Sequence, residues 1–183
     1  ICKDTGALLI VDEIQTGFGR TGKMFACEHY DLEPDALCMA KGIANGYPFG
    51  AIAFGERFAG IVKQYEHAST FGGNAEGCIR ANAVLDIIRE QNLLENVQKM
   101  ESVFRSMGFD HYPYVKEARG KGLLLGVEME NADHRKKVID GCKNDGVLFC
   151  GCGSSVIRIV PPLTITEDQF QHAMNVLKKN IEY

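Results

Sequence analysis

The sequence predicts an α/β protein with a parallel-sheet part, a long helical link and a small α+β part. Three short apolar runs between glycine-rich turns predict buried strands in the first part. Helical apolar periodicity then extends from Ala75 to about Met107. Short strand and helix patterns alternate in the last part of the chain. We therefore expect three regions: a large-domain part at 1–75, linking helices at 76–109 and a small α+β domain at 110–183.

The three apolar runs are followed by turns such as "TGFGRTG" and "KGIANGYPFG", whose glycines tolerate positive φ. The runs are residues 7–11, 36–40 and 50–54. The first two end at polar residues, Asp12 and Lys41. Ligands of α/β sheets bind at the carboxyl ends of the strands, so both residues are expected to face one crevice.

The run that precedes Asp12 is apolar enough to predict a strand buried on both faces. A carboxylate at the end of such a strand loses hydration, which is costly unless a cation or several hydrogen-bond donors meet it. We therefore expect a positively charged group beside Asp12. Glu13, the next residue, is expected to be structural, either capping the turn or pairing with Arg20.

The helical region predicts two helices with a break near Gln91 and Asn92. The apolar positions of the first helix are Ile79, Ala83, Ile87 and Ile88. Those of the second are Leu93, Leu94, Val97, Met100, Val103, Phe104 and Met107. Each set falls on one helical face and is expected to be buried.

The remaining elements are shorter. The stretch "HYPYVKEARGKG" is expected to be a connector, and strands are predicted at 123–128, 147–150 and 156–160. A helix is predicted at 132–144. The spacing of Thr166 and Gln169 is typical of a capping box that opens the last helix.

Composition excludes several classes of protein. The chain of 183 residues has 20 Lys and Arg against 24 Asp and Glu, a net charge of −4. This mild acidity argues against a nucleic-acid-binding or anionic-membrane surface. No apolar stretch approaches the roughly 20 residues of a membrane span. The first residue is Ile1, and a core strand follows within a few residues, so we expect the first part of a larger protein to be missing.

The seven cysteines are odd in number and irregularly spaced, which predicts reduced thiols in a cytoplasmic protein. Cys150 and Cys152 form the closest pair. A zinc or iron–sulfur site would normally need C-x-x-C pairs with further ligands. We expect no metal site.

A lysine and an aspartate in one crevice allow two interpretations. They can be a buried salt bridge or solvated loop charges. Alternatively they can form a pyridoxal-phosphate site, in which the Lys41 amine forms an imine with the cofactor aldehyde and Asp12 pairs with the protonated ring nitrogen. The ring would then be the cation expected beside Asp12, and the freed lysine could transfer the substrate proton.

Four separated stretches resemble consecutive motifs of the class III (subgroup II) pyridoxal-phosphate-dependent aminotransferases, which include acetylornithine, ornithine and 4-aminobutyrate aminotransferases. They are "LLIVDEIQTGFGRTG", "DALCMAKGIANGYPFGA", "STFGGNAEGCIRANAVLDII" and "VIRIVPPLTIT". The resemblance covers the whole chain in the expected order. It implies the C-terminal portion of a fold type I pyridoxal-phosphate-dependent transferase, namely part of the large parallel-sheet domain plus the small C-terminal domain.

The resemblance also implies roles for individual residues. Asp12 would pair with the pyridine nitrogen, Ile14 would pack on the ring, and Gln15 would bond its 3-oxygen. Lys41 would hold the cofactor, and Thr70 would bind the cofactor phosphate of the neighbouring subunit, which implies a homodimer with a shared site. Gln15 can instead be a surface turn residue, and Thr70 a residue at the entry to a helix.

Arg158 interrupts the apolar strand "VIRIV", where an arginine is usually paired or bound to an anion. The resemblance implies that it binds a substrate carboxylate through two parallel hydrogen bonds. A structural salt bridge is the alternative.

The implied reaction is transamination from an ω-amino donor such as 4-aminobutyrate or an acetylornithine-like compound to a 2-oxo acid such as 2-oxoglutarate. A pyridoxal-phosphate-dependent racemase on the same fold and an inert truncated fragment are the alternatives. The family's other phosphate-binding and ring-stacking motifs cannot be placed in this sequence. We therefore expect the isolated chain to be inactive or weakly active.

Overall fold

A computed structural model describes residues 1–64 and 66–182. The chain divides into two compact units, Ile1–Leu93 and Leu94–Tyr183. Among the described residues, no helix combines the length and apolar content that a membrane crossing requires.

In its described residues, 1–64 and 66–93, the first unit contains two helices and a three-stranded sheet. The helices are α1 (Cys2–Thr5) and α2 (Ala75–Glu90), and the strands are β1 (Ile10–Asp12), β2 (Ala36–Met39) and β3 (Ala51–Phe54). Short 3₁₀ segments lie at Ala26–Tyr30, Lys41–Ala44 and Glu56–Phe58. All three strands expected here are present, but β1 begins at Ile10 and not at residue 7 as expected.

The sheet has the order β1–β2–β3. β1 and β2 are parallel, as expected, with Asp12 in register with Cys38. β3 runs antiparallel to β2, with Ala36 opposite Phe54, so the expectation of a wholly parallel sheet was wrong for this strand. A strand's direction depends on where the connecting loop returns it, which local apolarity does not encode.

The expected burial of β1 on both faces was also wrong. Ile10 is 59% exposed, and Leu8 is exposed as well. Within the described residues β1 is an edge strand that pairs with β2 alone. An apolar run predicts a buried strand only when a second layer covers the sheet, and this unit leaves much of that apolar surface open.

The break between the two long helices lies where expected. α2 ends at Glu90, and Asn92 has a left-handed φ of 50° just before α3 (Leu93–Ser106). The predicted buried face of α2 was only partly right, because Ile88 is buried whereas Ile79 is 69% exposed and Ile87 is exposed.

The second unit combines a four-stranded antiparallel sheet with three helices. The strands are β4 (Val115–Lys121), β5 (Leu124–Met129), β6 (Cys150–Cys152) and β7 (Val156–Ile159), in the order β4–β5–β7–β6. The helices are α3, α4 (Ala132–Asn144) and α5 (Glu167–Glu182).

The core of this unit confirms the predicted helix faces. Val97, Met100 and Phe104 of α3 are buried, as are Phe170, Met174, Leu177 and Ile181 of α5. They pack with alternate residues of β5 and β7, namely Leu125, Val127, Met129, Ile157 and Ile159. The predicted capping box is present, because Gln169 N–H donates to Thr166 Oγ1 and Thr166 N–H donates to Gln169 Oε1.

Two expectations for this unit were wrong. The stretch expected to be a connector contains β4, which pairs with β5 over its length. From Glu117 onward its residues alternate between charged and small side chains, a pattern that half-exposed antiparallel strands use. The strand predicted at 147–150 is shifted, because β6 begins at Cys150.

Candidate active site

The structure brings Asp12 and Lys41 to the same end of two adjacent parallel strands. Asp12 ends β1 in register with Cys38, and Lys41 follows Cys38 by three residues. Paired strands lie about 4.8 Å apart and a residue advances the chain by at most about 3.6 Å, so the two Cα atoms lie within about 16 Å. Both side chains are exposed.

The loops that carry these residues pack directly on each other. A Cβ atom placed on Gly42 would lie 3.3 Å from Cβ of Phe18, which belongs to the turn after β1. Phe18 is buried, as are Ile43 and Ala44, the residues that follow Gly42. This contact fixes the 3₁₀ segment Lys41–Ala44 against the turn, while Lys41 itself stays exposed with a left-handed φ of 47°.

The two adjacent carboxylates have different environments. Glu13 is 1% exposed, and its Oε1 accepts a 2.7 Å hydrogen bond from Cys27 N–H. The Thr16 hydroxyl donates to Glu13 Oε2. Asp12 Oδ1 accepts one local bond of 2.9 Å from Ile14 N–H. Of the two acids, Asp12 is thus the one open to a ligand, and Glu13 holds the following turn together.

The remaining predicted residues of the first unit lie in its turns. Ile14 is half-buried and Gln15 is exposed in the turn after β1. Thr70 is exposed in the turn that precedes α2. Asn74 begins that helix, accepting a 2.7 Å hydrogen bond from Gly77 N–H.

Arg158 belongs to the second unit. It is half-buried on β7, directly between Gly126 of β5 and Cys150 of β6 in the strand register. Cross-strand partners share a face of the sheet, so the Arg158 side chain lies on the face opposite the core residues Ile157 and Ile159.

Sequence reasoning missed three residues that shape these surroundings. Phe18 and Gly42 join the two loops of the first unit, and Gly126, the cross-strand neighbour of Arg158, lies close to the Val156 side chain. Their signals were weak. An aromatic within a glycine-rich turn and a glycine within an alternating strand both indicate close packing, but neither identifies its partner.

Comparison with known proteins identifies the family. The model of the family "Aminotransferase class-III" matches residues 1–181. The acetylornithine aminotransferase of Bacillus subtilis (strain 168) is 39% identical over 192 residues, covering 100% of this chain and 47% of that protein. The acetylornithine aminotransferase of Methanosarcina acetivorans is 43% identical, over 98% of this chain and 45% of that protein.

Solved structures show the same fold. The crystal structure of acetylornithine aminotransferase from Elizabethkingia anophelis superposes with a TM-score of 0.92 at 34% identity, over 98% of this chain and 47% of that one. An ornithine aminotransferase structure from Toxoplasma gondii, described as partly occupied by pyridoxal phosphate, gives a TM-score of 0.90 at 32% identity. It covers 99% of this chain and 44% of that one.

The chain spans about half the length of the curated relatives it matches. Over that span the predicted fold class, part of a fold type I transferase, is confirmed by these superpositions. The match of the family model to nearly the whole chain, together with these relatives, shows that the chain belongs to the class-III aminotransferase family.

Proposed function

We propose that this chain carries the lysine, the aspartate and the substrate-binding arginine of a pyridoxal-phosphate-dependent aminotransferase. The enzyme would move an amino group from an ω-amino donor to a 2-oxo acid. The observation that carries the proposal is the meeting of Asp12 and Lys41 at the ends of β1 and β2, on loops locked together by Phe18 and Gly42. We propose the same three regions as before: part of the large domain at 1–75, linking helices at 76–109 and a small α+β domain at 110–183.

The residues at these strand ends fit the cofactor. Asp12 presents an exposed carboxylate, and a protonated ring nitrogen would gain a partner of opposite charge there. Lys41 presents an exposed amine on an anchored segment that follows the neighbouring strand. Glu13 is buried and accepts a hydrogen bond from Cys27 N–H, so it is not proposed as a ligand of the ring.

Pyridoxal phosphate, when bound, supplies an aldehyde and a ring that accepts the electron pair left on the substrate carbon. In our proposal Asp12 keeps the ring nitrogen protonated by its negative charge. Gln15 would hydrogen-bond the ring 3-oxygen, and Ile14 would pack against one ring face. Lys41 would take the proton from the substrate carbon that carries the amino group and hold it for its later return.

Two further residues complete the proposed site. Thr70 would bind the cofactor phosphate of the neighbouring subunit, so the active enzyme would be a homodimer. Arg158 would orient the substrate by binding its carboxylate with two parallel hydrogen bonds. Its place on a paired sheet strand, on the face opposite the core, supports this role because the strand fixes where the side chain starts.

The donor we favour is an acetylornithine-like compound, with 4-aminobutyrate as the alternative and 2-oxoglutarate as the acceptor. The first choice is supported by the names of the relatives with about 40% identity. Arg158 alone would bind only a carboxylate, and all of these substrates carry one, so this residue does not distinguish between them.

Covalent trapping tests the cofactor part. The full protein, incubated with pyridoxal phosphate and reduced with borohydride, should carry the phosphopyridoxyl label on Lys41 by peptide mass spectrometry. Lys41→Ala should lose the label, and the matched control Lys3→Ala, which removes an exposed lysine of the same unit, should keep it. Absence of any label in the wild-type protein would contradict the proposal.

Product analysis tests the reaction. N-acetylornithine, ornithine and 4-aminobutyrate are each supplied with 2-oxoglutarate, and glutamate formation is measured. Transamination predicts glutamate only when donor and acceptor are both present. Formation of a D-amino acid without any 2-oxo acid would instead identify a racemase, and a labelled protein without either product would be an inert member of the family.

A further inference from the structure

Two exposed cysteines lie on one face of an edge strand. Cys150 and Cys152 are the first and last residues of β6, and both are exposed free thiols. Residues two apart in a strand point to the same side, and their Cα atoms lie about 6.7 Å apart. The two thiols therefore form a fixed pair.

The strand register places this pair beside Arg158. Cys150 lies opposite Arg158, and Cys152 lies opposite Val156. Side chains of such cross-strand partners start about 4.5–5.5 Å apart at their Cβ atoms. These four side chains therefore lie on one surface of the sheet.

A helix holds the strand from the other side. The Arg135 guanidinium of α4 donates a 2.7 Å hydrogen bond to the carbonyl of Gly153, just after β6. A Cβ atom on Gly151 would lie 3.3 Å from Arg135 Cζ, so this residue covers the face opposite the two thiols. The backbone of β6 is thereby fixed, and both cysteines are kept on the open side.

We propose that Cys150 and Cys152 form a dithiol site for thiophilic ligands of the trivalent arsenical class. A ligand bound there would cover Arg158 and block the carboxylate site. A Cα separation of about 6.7 Å lies at the upper end of the range for disulfides, so a ligand atom inserted between the sulfurs suits the pair better than a direct S–S bond.

The chemistry balances without a redox step. An arylarsine oxide reacts with two thiols, so that two As–S bonds form and the arsenic–oxygen bond breaks. The oxygen leaves as water with the two thiol protons. Arsenic remains trivalent, and no oxidant or reductant is needed.

Binding is tested on the full chain with phenylarsine oxide and intact-mass spectrometry. We expect one bridging adduct that survives excess monothiol and is removed by 2,3-dimercaptopropanol. Cys150→Ser and Cys152→Ser should each lose the resistant adduct, and the control Cys78→Ser, at a half-buried cysteine of the first unit, should keep it. A resistant adduct that persists in both single variants, or none in the wild type, would overturn the site.

The effect on Arg158 rests on the proposed function and is tested separately. In the full protein, glutarate should slow the capture of phenylarsine oxide, since its carboxylate would occupy Arg158. The protection should be lost in Arg158→Met and absent with chloride at equal ionic strength. If glutarate does not change the rate at which phenylarsine oxide binds, the proposal that the bound ligand blocks Arg158 is refuted. That outcome would leave the Lys41 labelling result untouched, so the two proposals fail independently.

Discussion

Replacing Glu13 by alanine should unfold the first unit far more easily, although the residue stands next to a proposed cofactor ligand. The substitution removes the acceptor of the buried Cys27 N–H and the partner of the Thr16 hydroxyl. A buried polar group left unpaired costs about 1–3 kcal/mol. With two such groups we expect a loss of roughly 3 kcal/mol in the free energy of unfolding.

The assay is urea denaturation, with unfolding monitored by far-UV circular dichroism. At a slope of about 1–3 kcal/mol per molar urea, the expected loss moves the midpoint down by roughly 1–3 M. Glu13→Gln, which keeps one acceptor oxygen, should lose much less. Asp12→Ala is the matched control: its exposed carboxylate accepts one local hydrogen bond, so its midpoint should stay near that of the wild type.

A local readout follows from the Cys27 thiol. Burial raises its pKa, and the nearby Glu13 carboxylate raises the pKa further. In Glu13→Ala, Cys27 should therefore alkylate faster at pH 8, whereas in Asp12→Ala its rate should not change. Equal midpoints for Glu13→Ala and the wild type, with unchanged Cys27 alkylation, would refute the assignment of Glu13 as the buried support.

Three further outcomes are expected. Gly77→Ala should destabilise the first unit by about 1–3 kcal/mol in urea denaturation, despite the better helix propensity of alanine, because its Cβ would clash with the Phe49 ring. A gain in stability would contradict this packing. Burial raises the pKa of the Cys142 thiol to about 11. At pH 8, Cys142 should therefore be alkylated far more slowly than the exposed cysteines of β6, as measured by peptide mass spectrometry. Equal alkylation rates would contradict this prediction. Hydrogen bonds from Asn180 and a neighbouring lysine hold the pKa of Asp145 below its usual 3.8. The ionised carboxylate therefore stabilises the folded state above pH 3.8, and this stabilisation is lost as the pH falls through the pKa of Asp145 in the folded state. Asp145→Asn should therefore be less stable than the wild type at neutral pH and approach it in acid, and a constant difference across that range would argue against the linkage.

Local patterns in the sequence were sufficient where the structure depends on neighbouring residues. The faces of α3 and α5 follow from apolar spacing, and the start of α5 follows from Thr166 and Gln169, because helical contacts and caps join residues three or four apart. The strand ends at Asp12 and near Lys41 were likewise visible, since a parallel sheet brings such ends together.

Contacts between distant residues were decided by the tertiary structure alone. The sequence contained two adjacent acids, and only the tertiary contact between Cys27 and Glu13, just after β1, showed that Glu13 is the buried one and Asp12 the exposed one. The direction of β3, the strand within the expected connector and the placement of Cys150 beside Arg158 also depend on pairing between separated segments. Sequence periodicity specifies which residues share a face of an element. Which neighbour that face meets is decided by hydrogen-bond pairing and burial across the whole unit. This is why the ends of the strands could be predicted from the sequence while their surroundings could not.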